Sequence, residues 1–363
     1  MTARFARLAA PGALAAAALL VAACGGGPDP TPTTTVPAAV DAQKGSPPAP
    51  DVRAVWPLTG VEADEVADRP ALAVKIENSR EARPQTGLEQ ADMVWEEVVE
   101  GGITRYVAVF HSSVPDAVEP VRSVRPMDPA IVAPLGGILA YSGAQRPFID
   151  AVDASGAQSV IMDAGDAGFR RNPARPAPHN VIGDPAAFLA QADGERSVPP
   201  PAQFAIADDP GEGTAASDGT PASSLEVVMS RMQTTGWQWD EDTGAWLRSE
   251  GTSPSMSTSG DQHSATNVVV LEVEVVNTEF RDASGAAVPE TRLVGASGTG
   301  VVASGGRTLE VEWSKGELAD AVELTAGGET VELEPGSTWV ELMPATTGSL
   351  TVADQAAGSS PDQ

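Results

Sequence analysis

The sequence predicts an α+β protein, with a mixed α/β layered N-terminal domain followed by an antiparallel β-rich C-terminal domain. Three observations predict it. In the first half, apolar residues at period two alternate with short segments at helical spacing. In the second half, strand patterns follow one another without helical segments between them. A stretch rich in Pro, Gly, Ser and Asp, residues 197–223, separates the two textures.

The chain opens with Arg4 and Arg7, an Ala/Leu-rich apolar run, and Leu20-Val21-Ala22-Ala23-Cys24. A basic start, an apolar core and small residues before the cut are what an export signal needs. The only cysteine of the chain stands where a lipobox places it. Residues 1–23 are therefore expected to be a lipoprotein signal peptide, with Cys24 lipidated at the extracytoplasmic face of the membrane. The apolar run is shorter than the roughly 20 residues that span a bilayer. Residues 24–54 carry Gly, Pro and Thr with almost no large apolar side chain, and read as a flexible tether.

The N-terminal domain is placed at residues 55–196. Ala71 to Glu77 puts Leu72, Val74 and Ile76 on one face and Lys75 and Glu77 on the other, as a half-buried strand does. Thr86-Gly87-Leu88-Glu89 has capping-box spacing, ahead of a strand at Met93 to Val99. Ile103 to His111 is a further strand. Asp128-Pro129 reads as an N-cap followed by Pro at the first helical position, and Pro134 closes that helix. Gly137 to Tyr141 and Ser159 to Met162 are strands, and Arg146 to Asp153 and Pro185 to Gln191 helices. Residues 197–223 follow as a linker.

In the C-terminal domain, residues 224–346, Val269, Leu271, Val273 and Val275 alternate with Glu272 and Glu274, and Leu309, Val311 and Trp313 with Glu310 and Glu312. Val331 and Leu333 do the same with Glu332 and Glu334. Such glutamates describe a solvated sheet face. Trp237, Trp239 and Trp246 flank a turn at Asp242-Thr243-Gly244, and read as cross-strand packing in preference to a sugar-stacking platform. Residues 347–363 form a polar tail.

Fifty acidic against 22 basic residues give a net charge of −28, which becomes −30 once Arg4 and Arg7 leave with the signal. A nucleic-acid partner is excluded, because it requires a basic footprint. With Cys24 lipidated no thiol remains, so disulfides and cysteine chemistry are excluded too. The charge is unevenly spread. Residues 100–180 hold seven arginines against eight acids, while the remainder holds 15 basic and 42 acidic residues. Arginine set against the prevailing sign points to a carboxylate or phosphate to pair with. Arg105 shares a strand face with Val107 and Val109, so it needs an acidic partner if buried. Glu96, Glu97 and Glu100 are nearest in sequence.

These residues carry a resemblance. Asn78-Ser79, Arg83 to Leu88, Ala91-Asp92, Glu96-Glu97, Glu100 to Arg105 and Pro120 to Arg125 are followed by Ser142-Gly143 and Pro178-His179-Asn180. Asn267 to Val270, Trp313-Ser314-Lys315 and Pro335 to Trp339 complete the set. From Val55 to Pro344 the chain resembles the YerB-like lipoproteins, designated domain of unknown function 3048. The resemblance implies an N-terminal and a C-terminal domain and no established activity. The chain departs from that pattern at Trp239 and in a Ser/Thr-rich insertion from Gly251 to Gly260.

Carried over residue by residue, the positions expected to line a cleft are Glu97, Glu100, Arg105, Arg122, Ser123, Arg125, His179 and Asn180. A carboxylate beside arginines is expected to be held ionised. Ser142 with His179 lacks a G-x-S-x-G elbow, and His111 and His179 lack the H-E-x-x-H spacing of a zinc site. Asp163 and Asp166 lack the alternating acids of a calcium loop. No metal and no cofactor is expected. Two readings follow: a lipid-anchored protein that binds an envelope glycan or protein through an Arg/Glu cleft, or a cell-wall glycan-cleaving enzyme using Glu97 or Glu100. Carboxylates about 5–9 Å apart across an open groove would favour the enzyme, and both locked to arginines in a closed network would favour a structural role.

Overall fold

The computed structural model describes residues 53–354. The stretch read as a signal peptide, Cys24, most of the stretch read as a tether and the end of the tail lie outside the described residues. Strand dominates, with few and short helices. In chain order the strands that build the frame are β1 (Leu72–Glu77), β2 (Met93–Val98), β3 (Thr104–Phe110), β4 (Ile138–Tyr141) and β5 (Gln158–Ile161). There follow β6 (Thr220–Val228), β7 (Thr234–Asp240), β8 (Ala245–Glu250), β9 (Asn267–Arg281) and β10 (Ala296–Ser304). The last are β11 (Arg307–Lys315), β12 (Glu323–Ala326), β13 (Thr338–Pro344) and β14 (Ser349–Asp354). The two helices that matter here are α1 (Asp128–Val132) and α2 (Arg146–Ala154).

A continuous mixed sheet runs β5–β4–β1–β3–β2–β13–β9–β10–β11–β12. The sheet crosses from one half of the sequence to the other. Its junction is parallel, with Thr338 to Glu341 of β13 opposite Met93 to Glu96 of β2. On the other side β13 runs parallel to β9, from Asn267↔Thr338 to Val273↔Pro344. Strands β1, β4 and β5 are parallel, and α2 supplies the crossover between β4 and β5 that such a pair requires.

A smaller antiparallel sheet, β14–β6–β7–β8, covers one face of the first. Its Leu225, Val227, Trp237 and Trp246 pack with Val74, Tyr106, Val270 and Trp339. The opposite face is covered by α1 and α2, whose Ile131, Val132 and Phe148 meet Val107, Leu139 and Leu271. Phe204 stacks on Trp95 with ring centroids 6.1 Å apart. Each such side chain contributes about 1.5–3 kcal/mol on burial.

This double cover corrects several expectations. Every residue of β1 is buried, including Lys75 and Glu77, since both faces of the strand are covered. Asp128 does not cap α1: Met127 occupies that position, and Asp128 is buried with Oδ2 accepting the Arg125 N–H at 2.6 Å. Thr86 caps nothing either, because the turn Leu88–Gln90 begins after a left-handed Gly87. Glu334 turns inward and accepts from the N–H groups of Gly211 (2.7 Å) and Gly213 (2.7 Å). The stretch 197–223 is exposed at Val198 but anchored beyond it: Phe204 is buried, the Ala207 N–H reaches Leu333 O at 2.9 Å, and β6 starts at Thr220. The stretch read as a polar tail supplies β14.

Candidate functional site

The register of three adjacent strands builds the site. Glu77 on β1 stands opposite Arg105 on β3, and Arg105 stands opposite Glu97 on β2. The three charges form one row across the face that α1 covers. The segment 118–124 then folds over the end of that row. The Glu77 N–H donates to Pro120 O at 3.0 Å, the Arg122 N–H to Lys75 O at 2.8 Å, and the Ser142 N–H to Arg122 O at 3.0 Å.

Arg122 is thereby delivered to Glu77, with Nε 3.3 Å from Oε2. The Glu77 carboxylate also holds His179, whose Nδ1 lies 3.0 Å from both oxygens, and accepts from Ser79 Oγ at 2.9 Å. Of the candidates, Arg122 and His179 reach solvent furthest, with side chains 21% and 20% exposed. Arg125 pairs with Glu100, Nε to Oε1 2.6 Å. Arg105 lies between the two pairs and donates from Nη1 to Ser123 O at 2.7 Å. Burial, Arg125 and Arg122 push its pKa down to about 9, against the pull of Glu100 and Glu77. The buried Nε of Arg105 has no acceptor among the described residues, whereas Nε is the atom that Arg122 and Arg125 turn toward their carboxylates.

Glu97 lies deeper, and its environment differs from the expectation. Its partner is Lys75, which donates to Glu97 and to Asp128 Oδ1 (2.7 Å), all three side chains being fully buried. One ammonium serves two carboxylates. Burial, then Asp128, push the Glu97 pKa up to about 8, where the sequence suggested a carboxylate kept ionised by arginine. Ser123 Oγ is 3.2 Å from Ser142 Oγ, and the Ser142 side chain makes no hydrogen bond with His179. Asn180 belongs to a neighbouring hairpin, where its Oδ1 accepts from Arg171 Nη1 at 2.8 Å. His111 is buried elsewhere, edge-on to Trp56 at 5.2 Å.

The sequence reading missed Lys75 and Glu77 as members of the site. Period two put both on one face, and that face was taken for solvent. It also missed a second charged cluster on the opposite face of the sheet. Glu96, pointing away from Glu97 as strand neighbours must, accepts from Arg248 Nη2 at 2.6 Å and from Asn78 Nδ2 at 3.1 Å. The Arg248 guanidinium lies 5.0 Å from the ring centroid of Trp339, 5.4 Å from Tyr106 and 5.9 Å from Trp237. Glu341 accepts the Trp237 indole N–H at 3.0 Å, and burial and Glu96 raise its pKa well above the usual carboxylate range. Trp237 and Trp246 are therefore core and offer no sugar platform.

Comparison with known proteins gives the following. Residues 58–198 match the N-terminal domain, and residues 225–340 the C-terminal domain, of the family described as protein of unknown function DUF3048. A stretch of 70 residues is 49% identical to YerB of Bacillus subtilis (strain 168), whose name assigns it provisionally to the lipoproteins. That stretch covers 19% of this chain and 21% of YerB. The crystal structure of YerB from Bacillus subtilis shares the fold, with a TM-score of 0.70 at 23% identity over 82% of this chain and all of that one.

Proposed function

The chain belongs to the DUF3048 family through both of its domains, and since that family has no known function, we propose a function from the site itself. The protein is an extracytoplasmic lipoprotein, anchored through Cys24, that binds an anionic group of a cell-envelope component on the Arg105–Arg122–Arg125–His179 face. The anchor is supported by the lipobox and by the name of the relative. No helix among the described residues is long and apolar enough to cross a membrane.

The observation that carries the binding reading is the surplus of arginine. Three guanidinium groups face two carboxylates: Glu77 pairs with Arg122 and Glu100 with Arg125, which leaves Arg105 without a carboxylate of its own. An incoming carboxylate or phosphate, reached through the partly exposed Arg122 and His179, would balance that surplus by the charge-assisted pairing to which arginine is suited. The glycan-cleaving reading is disfavoured by the same geometry. Glu97 is fully buried on Lys75, and Glu100, which borders a groove of about 840 Å³, is closed on Arg125, so no groove holds these two carboxylates free on either side of a sugar.

The test is Arg122→Ala, compared with the parent for retention on purified cell-envelope polymer. The variant is expected to melt within a few degrees of the parent and to lose retention. A stable variant retained as strongly as the parent would overturn the assignment. The anchor is tested separately: Cys24→Ser is expected to leave the membrane fraction, and tight association of that variant would refute it.

A further inference from the structure

A groove of about 710 Å³ opens beside the arginine face, on the far side of Asn78 and Ser79. Both halves of the sequence line it, the N-terminal half with residues 78–81, 83–85 and Ile103 and the C-terminal half with Met232, Gln233, Glu250 and residues 253–256. Its volume lies in the range of about 300–1,000 Å³ usual for ligand sites.

The floor is preorganised. Arg83 donates from Nε to Asn78 Oδ1 (2.9 Å) and from Nη2 to Asn78 O (2.8 Å) and Gln233 Oε1 (2.9 Å). Its Nη2 also lies 2.8 Å from Glu250 Oε2. Glu250 is itself held by Gln233 Nε2 at 2.6 Å and by Arg248. The guanidinium is fixed in place, one quarter exposed, and its Nη1 has no partner among the described residues. Arg80, exposed on the wall, is also without a partner among the described residues. The rim is apolar. Met232 and Met256, 70% and 38% exposed, are two of the few large apolar side chains left open to solvent, and both line this one groove.

We propose that this groove binds an extended peptide bearing a carboxylate, with the carboxylate on Arg83 and Arg80 and apolar side chains against Met232, Met256 and Ile103. The chemistry of the walls selects that class. The lining contains no aromatic ring on which a sugar or a base could stack, whereas unbranched methionines adapt to varied apolar side chains. Beside them the free Nη1 of Arg83 and the unpaired Arg80 side chain favour an anion, set against one exposed acid of the lining, Glu81. The site is independent of the Arg122 face: either can fail without the other.

The test uses the full-length chain labelled with [methyl-13C]methionine, so that Met232 and Met256 report occupancy. It is titrated with N-acetyl-Leu-Ala-Leu-Ala as free acid, with the same peptide as C-terminal amide, and with N-acetyl-Leu-Asp-Leu-Ala amide. The free acid or the Asp peptide is expected to move both methyl signals saturably. Which of the two does so identifies a chain end or an acidic side chain as the source of the carboxylate. The neutral amide is expected to bind at least about fivefold more weakly, as are the acidic peptides to Arg80→Ala and Met232→Ser, whose substituted side chains are exposed in the parent. Equal affinity for acid and neutral amide, unmoved Met232 and Met256 signals, or a response to dodecanoate alone would each overturn the proposal.

Discussion

Glu97 shows how a single residue departs from its sequence expectation. Its cross-strand partner is Arg105, so an ionised carboxylate looked natural. The deciding facts are long-range. Lys75 arrives from two strands away and Asp128 from α1, and burial then favours keeping a proton on Glu97. The sign for stability follows. Between the ordinary value of 4.5 and about 8 the folded state keeps a proton that the unfolded chain releases, so stability falls as pH rises through that window. The slope reaches at most about 1.4 kcal/mol per pH unit. Glu341, also pushed upward by burial, acts in the same direction. Glu97→Gln is therefore expected to gain in melting temperature relative to the parent as pH rises from 5.5 to 8, because the contributions of Glu341 and of the buried His111 and His263 are common to both. Thermal melts at the two pH values check this, and parallel curves would place the proton on another group.

At the scale of elements, the smaller sheet is fastened to the larger one by Arg248 of β8, which reaches Glu96 of β2 through a box of three aromatic rings. Arg248→Met leaves Glu96 buried without its cation, which costs on the order of 3–5 kcal/mol. The double variant with Glu96→Gln is expected to recover part of that loss in urea unfolding, because no ionised group then remains unpaired. If single and double variants are equally destabilised, the cost lies in packing against Trp339 and not in charge. The elements themselves were largely legible. Apolar runs at period two found β1 to β5 to within a residue or two, and outward Glu310 and Glu312 are indeed exposed along β11. What pattern could not give is which strands have two covered faces. Lys75 and Glu77 on β1 look like the solvent side of a half-buried strand until α1 is laid over that face and residues 120–122 pair along the edge of β1. The candidate site was legible in the same partial way. The sequence named Arg105, Arg122, Arg125, Glu100 and His179, which the fold gathers, but not Glu77, the carboxylate on which Arg122 and His179 meet.

The break in composition at residues 197–223 suggested two bodies joined by a tether, whereas the main sheet threads the two sequence halves through each other. Strand β13, from the end of the chain, lies between β2 of the first half and β9 of the second. A half expressed alone would expose the edge of β2 and lose Trp339 from beside Tyr106, where the rings meet edge-on at 5.4 Å. Unpaired edges of that kind invite aggregation. The connecting stretch nonetheless offers one vulnerable point. Val198 is 63% exposed among prolines, while Phe204, only six residues on, is buried against Trp95. Limited proteolysis is therefore expected to nick the chain near residue 198, and the nicked protein should elute as one particle and unfold in a single transition. Two transitions, or two fragments that separate without denaturant, would mean that the halves are stable apart. In that case the parallel pairing of β2 with β13 would contribute little to what holds the molecule together.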